Sequence, residues 1–551
     1  MTAAPTRVIF LGGLGEIGRN MIALESEGKI LVIDAGLSFP NEEMLGVDLV
    51  LPDFSYLRDR AADCLAVVLT HGHEDHVGAL NWLMRDIDMP VYGTPLTLGL
   101  ARKRLDEFHT KAELNPISAP GELKLGPFAC RFLPVSHSIP DALAVLTRTP
   151  GGTILYTGDF KLDHSPIDGR STDLEAFAAA GREGVDLLLS DSTNAEEEGR
   201  TPSESLVGPR LKEIFAAAQR RVVVACFASN LHRIQQVSDA AEATGRKVAF
   251  VGRSMVNNVD VGRELGLLSI SDGTLMDVGE MNDVDPSRSV VVCTGSQGEP
   301  LSALTLIASG EHKLVSVERD DTVILSASPI PGNESAVHRV VNALYKAGAE
   351  VYKGEDDGVH VSGHAASDEL AEMIRTVGPK NFCPVHGEYR HLAKHARIAE
   401  QQGVASDDIW MVEDGDVLQL VSGRVKRGDR VRAGMVLVDG LGVGDVGPVV
   451  LRDRRVLSED GIVMCVVTID SQNGEILAGP DLISRGFVHE QEQRDLLDEG
   501  ADRVADALEK LERDQVTDWG VIKKECRKAL GEFVWQRTRR RPMILPVIME
   551  V

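Results

Sequence analysis

Short apolar runs that end in polar loops mark the first part of the chain. Leu65-Ala66-Val67-Val68-Leu69, Thr153-Ile154-Leu155-Tyr156 and Leu187-Leu188-Leu189 are continuous enough to be strands buried on both faces. From Ser203 to Tyr352 the rhythm becomes strand, loop, helix. Arg221 to Phe227 reads as a strand, Ile234 to Ala243 as a helix, and Val248 to Val251, Val290 to Cys293 and Val323 to Leu325 as further strands, the last before a helix from Ser335. That alternation predicts a parallel, doubly wound sheet. Residues 422 to 450, with Gly440, Gly442, Gly444 and Gly447, read as a linker with short extended pieces. The remainder predicts a small α+β unit: a strand over Val463 to Ile469, helices near 489 to 512 and 519 to 533, and a closing strand over Met543 to Ile548.

Histidine-rich motifs near residue 71 resume at 360 to 386, so the chain is expected to leave its first domain and return to it. The expected division is 1–205 and 359–425 for that domain, 206–358 for the insertion, 426–450 for the linker and 451–551 for the last unit.

A length of 551 residues suits three or four domains, and 43% hydrophobic residues suffice for their cores. No apolar run reaches the ~18 residues of a membrane span, and the segment from Met1 has no signal-peptide pattern, so a cytoplasmic protein without membrane partners is expected. The seven cysteines are scattered, mostly in apolar contexts, and read as reduced core residues. A net charge of −26 argues by itself against nucleic-acid binding. A groove that is locally basic or loaded with cations escapes that argument.

The densest chemistry is His71-Gly72-His73-Glu74-Asp75-His76, directly after a strand-like run. Imidazole and carboxylate without thiolate is the donor set of a divalent-cation site with positions open to water. The remaining ligands should also follow strands, where Asp34, His137, Asp159 and His386 stand. Gly13-Leu14-Gly15-Glu16-Ile17-Gly18 imitates a dinucleotide fingerprint, but Met21 to Leu24 and Ile30 to Ile33 flank a turn. A hairpin there leaves no helix N-terminus for a pyrophosphate, so we read a tight glycine turn.

The His/Asp set resembles that of the metallo-β-lactamase superfamily. The resemblance implies that His71, His73, His137 and Asp159 hold one cation and that Asp75, His76, Asp159 and His386 hold a second. Asp34 would fix the tautomer of a ligand. Ser190-Asp191-Ser192-Thr193, His360-Val361-Ser362-Gly363-His364 and Pro384-Val385-His386-Gly387-Glu388 resemble the extra motifs of the β-CASP branch, whose members are nucleases. With Leu11 to Asn20, Phe227 to Arg233, Thr294 to Pro300 and Ala327 to Glu334, the whole chain is similar to bacterial ribonuclease J.

The implied fold is an αββα sandwich with an inserted doubly wound β-CASP domain and a small α+β C-terminal domain. The implied activity is 5′-to-3′ exonuclease action on RNA with a 5′ monophosphate, plus endonuclease action, in RNA maturation and decay. The implied chemistry is a two-metal hydroxide attack on the phosphodiester, with zinc expected and manganese or magnesium as alternatives. Asp75 would also orient the nucleophile, and His364, held by Asp191, would serve the leaving oxygen or the phosphate charge.

Ser229, Asn230, His232 and Arg233, between a strand and a helix, are expected to bind a terminal phosphate together with His360, Val361, Ser362, Gly363 and His364. Simple N-capping by Ser229 and Asn230 is the alternative. Asp48 and Asp445 are candidates for a calcium-type site as in some relatives, and Arg537, Arg539, Arg540 and Arg541 for an RNA or oligomer contact. A homodimer or homotetramer is expected, and helicases are candidate partners. Rival readings are a β-CASP nuclease acting on DNA and a thioester or lactam hydrolase of the same superfamily.

Overall fold

The pleat of the strands sorts the first domain into layers. In a computed structural model that describes residues 4–470, 475–487, 493–513, 516 and 518–551, two sheets face each other. One has eight strands in the order Arg424–Arg427, Val417–Val421, Thr6–Gly12, Met21–Ser26, Lys29–Ile33, Cys64–Val68, Val91–Gly93, Leu114–Pro116. The other has six, in the order Asn381–Val385, Leu187–Asp191, Gly152–Tyr156, Leu143–Thr149, Phe128–Pro134, Gly121–Leu125. Successive side chains leave a strand on opposite faces. Ile154, Tyr156, Leu187 and Leu189 therefore meet Val8, Phe10, Leu31 and Val68 between the sheets. Leu155 and Leu188 pack outward under helices Leu174–Glu183, Ser367–Val377 and Tyr389–Gln401, through Phe177, Met373, Ile374 and Ile398. On the other sheet, helix Pro95–Glu107 packs against Val91–Gly93. This is the expected αββα sandwich.

The insertion is a parallel five-stranded sheet ordered Lys247–Val251, Ser289–Cys293, Val222–Ala225, Thr322–Leu325, Glu350–Lys353. Val222 and Val224 enter one apolar cluster, Val223 and Ala225 another, so helices cover both faces. The Gly13–Gly18 segment leads to antiparallel strands Met21–Ser26 and Lys29–Ile33, the expected hairpin.

By its contacts the chain forms two units, Met1–Phe39 with Leu49–Val436, and Pro40–Asp48 with Leu437–Val551. The second unit thus includes a loop that the sequence reading places in the first domain. Arg454 Nη1 donates to Leu45 O (2.8 Å), and Asp48 N donates to Val438 O (2.8 Å). The stretch read as a linker holds strand Met435–Asp439 and the start of helix Pro448–Asp460. In the second unit, strand Ile462–Ile469 lies between Ile476–Arg485 and Met543–Glu550. Its Val463, Cys465 and Val467 pack on Val504, Leu508, Ile522, Cys526 and Leu530 of helices Gln493–Arg513 and Trp519–Thr538. The early positions 489–492 of the first expected helix, and Met1 to Ala3, lie outside the described residues.

Candidate metal centre

The centre is built at strand ends. Gly152–Tyr156, Leu187–Asp191 and Asn381–Val385 run parallel and in step, Tyr156 beside Leu189 and Leu189 beside Cys383. Their C-terminal ends therefore deliver Asp159, Asp191 and His386 to one edge. In the facing sheet Lys29–Ile33 and Cys64–Val68 are also parallel, Ile33 beside Val68, and deliver Asp34 and the 71–76 cluster. Asp75 and His76 lie on the short helix Glu74–Val77. Asp34 and His386 take positive φ angles of 61° and 55°. Such conformations persist where surrounding bonds fix them. Asp34 Oδ1 accepts from Thr70 N (2.8 Å), and its Oδ2 lies 2.8 Å from His76 Nδ1.

Two donor groups converge as the sequence suggests. The ligand atoms of His71, His73, His137 and Asp159 lie within 4.8 Å of one another, and so do those of Asp75, His76, Asp159 and His386. His73 Nδ1 is 3.1 Å from both His71 Nε2 and His137 Nε2. His137 Nδ1 is 2.8 Å from Gly363 O, which places its proton there and leaves Nε2 a bare lone pair. Lone pairs facing one another are what a shared cation satisfies. Asp159 Oδ2 stands between the groups, 3.2 Å from His76 Nε2, 3.6 Å from His71 Nε2 and 3.8 Å from His137 Nε2. His386 Nε2 and Asp159 Oδ1 are buried without a hydrogen-bond partner among the described residues, although His386 Nδ1 comes within 2.9 Å of Asp159 Oδ1. Where two donor groups converge, buried polar atoms left unpaired are what a bound cation would satisfy. The residues fit a pair of divalent cations.

Electrostatics suit coordination in the first group, and in the second the carboxylates hold two of the imidazoles in the protonated form that a cation would displace. Burial holds His71 and His137 well below the usual imidazole range and takes His73 to about 4. Burial raises the Asp159 carboxyl, but His386 and His76 outweigh it and hold the group well below the usual range. Neutral imidazole and ionised carboxylate are the forms that coordinate. Burial lowers His76 and His386, yet the carboxylates around them, Asp159 foremost, bring both well above the imidazole range.

His364 joins the edge of this cage. Its Nδ1 is 2.8 Å from Asp191 Oδ2, its ring centroid is 5.0 Å from that of His137, and its side chain is 19% exposed, so one end stays open. Asp191 Oδ1 accepts from Thr193 N (3.0 Å) and Oγ1 (2.8 Å). A Cβ at Gly363 would sit 2.8 Å from His137 Cε1, so only glycine lets this loop approach the cage.

Matches to known families cover most of the chain. Residues 14–201 match the metallo-beta-lactamase superfamily, 219–344 the ribonuclease J beta-CASP domain, 356–410 the Zn-dependent metallo-hydrolase RNA specificity domain and 449–551 the ribonuclease J C-terminal domain. The chain is 42% identical to ribonuclease J2 of Bacillus subtilis (strain 168), over 99% of this chain and 98% of that protein. It is 44% identical to ribonuclease J of Mycolicibacterium smegmatis, over 99% of this chain and 97% of that one. The chain belongs to the ribonuclease J family. A crystal structure of a protein of unknown function from Enterococcus faecalis V583 shares the fold at 16% identity, TM-score 0.52, covering 76% of this chain and 100% of that one.

The expected phosphate-binding residues of this ribonuclease J family member fall into two sets. Ser229 is partly exposed just before helix Leu231–Ala243, and Ser362 Oγ accepts from His364 N (3.2 Å). The other set faces inward. Asn230 Oδ1 accepts from Arg233 N (2.9 Å) as an N-cap. Arg233 is fully buried, with guanidinium bonds to Glu204 Oε1 (2.8 Å), Val359 O (2.8 Å) and Ser326, which leave no face for a phosphate. His232, His360 and Val361 are buried as well, and Val361 belongs to an apolar cluster. His360 Nδ1 has no hydrogen-bond partner among the described residues.

Sequence reasoning gives no role to Asn20, Thr70, Thr193 or Lys161. Asn20 Nδ2 donates to Asp75 O (3.1 Å), and Lys161 Nζ donates to Ser362 O (3.2 Å). Lys161 is only two residues past Asp159, which is the one signal the sequence offers for it. Asp48 Oδ2 accepts from Gly440 N (2.8 Å), and neither Asp48 nor Asp445 is among the groups of three or more converging His, Cys, Asp or Glu side chains of the described residues. No described helix is long and apolar enough to cross a membrane.

Proposed function

We propose that the chain hydrolyses RNA phosphodiesters, as a 5′-to-3′ exonuclease preferring a 5′ monophosphate and also as an endonuclease, in RNA maturation and decay. The observation that carries this reading is the pair of donor groups sharing Asp159, with His364 and Asp191 at their open edge. The names of the relatives support RNA as the substrate.

His71, His73, His137 and Asp159 would hold one cation, and Asp75, His76, Asp159 and His386 the other; zinc suits the imidazole-rich set. When bound, the cations supply a nucleophile at neutral pH and neutralise charge building on the phosphate. Asp75 ligates and orients from the exposed side of the cage. His364, fixed by Asp191, offers its free ring nitrogen to the leaving 3′ oxygen or to a phosphate oxygen. The Ser229 hydroxyl, the N–H groups at the start of helix Leu231–Ala243, and Ser362 with Gly363 form the terminal-phosphate pocket. Cytoplasmic location, a homodimer or homotetramer, and helicases as partners complete the proposal.

The test is a time course of products from 5′-labelled monophosphate and triphosphate RNAs, with and without a chelator. Mononucleotides released first from the monophosphate RNA, and none after chelation, are expected. Equal rates on both ends count against the pocket, and undiminished cleavage under chelation counts against the cation site. A DNA strand of the same sequence, degraded as fast as the RNA, would favour the DNA-acting alternative.

A further inference from the structure

The proposed chemistry does not use the exposed face of helix Trp519–Thr538. Trp519, Lys523, Arg527, Gly531 and Trp535 follow at four-residue steps, each beside the next, but a four-residue step overshoots a turn by about 40°, so the row winds round the helix and Trp519 and Trp535 stand on different faces. Lys523 Nζ lies 5.6 Å from the centre of the Trp519 ring. The guanidinium carbons of Arg541 and Arg539 lie 4.5 Å and 5.5 Å from the centre of Trp535. Both indoles are open to solvent, Trp519 by 42% and Trp535 by 36%. Beside Trp535 is a cavity of about 410 Å³, lined among others by Arg527, Arg541, Pro542, Ile544 and the carboxylate of Glu532.

The cations here divide by partner. Arg537 pairs with Glu499 (3.0 Å) and Arg540 with Asp460 (3.3 Å), so both are tied into their own unit. Arg527, Arg539 and Arg541 have no carboxylate partner among the described residues. In a chain of net charge −26, three uncommitted guanidinium groups round a half-open indole are a local exception. Arginine stacked on an indole keeps its N–H edge free for phosphate, and an indole face accepts any base. A duplex hides its base faces, so a single strand gains most from such a surface.

We propose that the Trp535 end of this row is an accessory docking surface for single-stranded RNA, with a base on Trp535 and phosphates on Arg527, Arg539 and Arg541. The inference rests on RNA being the substrate, and it assigns to the C-terminal unit a grip on nucleotides other than the one being cleaved.

The test uses the full chain with a chelator present, so that nothing is hydrolysed, and a labelled oligouridylate of about 20 nucleotides. Trp535→Leu and the double variant Arg527→Gln/Arg541→Gln are each expected to raise Kd about tenfold. The double variant should also flatten the plot of log Kd against log salt by about 0.7 for each phosphate it no longer neutralises, and Trp535→Leu should leave that slope in place. RNA should quench the emission of Trp535, one of the chain's four tryptophans, and Trp535→Leu should remove much of that quenching. The arginines are exposed, so the double variant reports on binding even if Trp535→Leu folds poorly. Unchanged Kd and salt slope in the double variant overturn the proposal and leave the surface to an acidic protein partner. An unaltered protein that binds this RNA yet never cleaves RNA with metal restored refutes the proposed function and not the docking surface.

Discussion

The cage between His71 and His386 and the pair Arg233–Glu204 are both polar and both buried in the same unit. In the cage, ring nitrogens face one another at 3.1 Å, and His386 Nε2 and Asp159 Oδ1 have no hydrogen-bond partner among the described residues. Around Arg233 every nitrogen has a partner: Glu204 Oε1 takes Nε (3.1 Å) and Nη2 (2.8 Å) and also Gln236 Nε2 (3.1 Å), while Ser326 and Val359 O take Nη1. Burying polar groups costs free energy unless they are paired. A cluster that stays unpaired is therefore waiting for something, whereas a paired one is a strut. Composition and burial do not separate the two; satisfaction does.

The largest effect should come from the unpaired side. Asp75→Ala is expected to lower RNA hydrolysis at least about a thousandfold, because it removes a ligand and an orienting carboxylate together, a loss of about 4 kcal/mol in the barrier. Stability should change little, since Asp75 is 28% exposed. Metal analysis should find one ion fewer per chain. Retained hydrolysis with a full metal complement would dissolve the contrast. The strut should behave in the opposite way: Arg233→Met leaves Glu204 buried without its cation, and breaking such a pair costs about 3–5 kcal/mol. Urea denaturation should show that loss, and metal content of the folded fraction should be unchanged.

The cage is legible in the sequence because its ligands follow strands, and parallel strands in step bring their ends together. Asp34 comes directly after an apolar run, and His71 and Asp159 within three residues of one. Arg233 is misread because its position in Ser229 to Arg233 says which residues start a helix but not which way they point. With the helix starting at Leu231, Arg233 is carried into the interior, where Glu204, 29 positions away, receives it. Lys161 and Asn20 escape notice for the same reason: their partners are backbone carbonyls, of Ser362 and Asp75, and a carbonyl has no signature in a sequence. The loop Pro40–Asp48 falls to the wrong unit in a sequence reading because chain proximity is the only guide to it.

A smaller effect should sharpen the boundary of the cage. Asp34 touches no proposed substrate atom; it holds His76 Nδ1 at 2.8 Å and so turns Nε2 towards Asp159. Asn tolerates the positive φ at this position, so Asp34→Asn should keep the fold. Its amide can present an N–H to Nδ1 and favour the wrong tautomer, and metal affinity should fall about 10- to 100-fold, as is usual when the partner of a ligating histidine is lost. Competition against a chelator measures this. Unchanged affinity would mean that the strand ends alone position His76.

The smallest effect tests the residue that sits on the line between strut and site. Asn230 caps helix Leu231–Ala243 through its Oδ1 on Arg233 N, yet the same helix start is the proposed seat of the terminal phosphate. Asn230→Ala removes the cap and should cost about 1 kcal/mol in stability, with little change in KM for 5′-monophosphate RNA. Asn230→Asp keeps the cap, and its charge suits the positive end of the helix, so stability should stay within a few tenths of a kcal/mol of the original or rise. That charge would stand where a phosphate is meant to bind, and KM for the monophosphate end should rise severalfold while internal cutting of a circular RNA is spared. The two variants thus pull stability and end recognition apart. If Asn230→Asp leaves KM untouched, the terminal phosphate does not sit at this helix start, and Asn230 belongs with Arg233 among the struts.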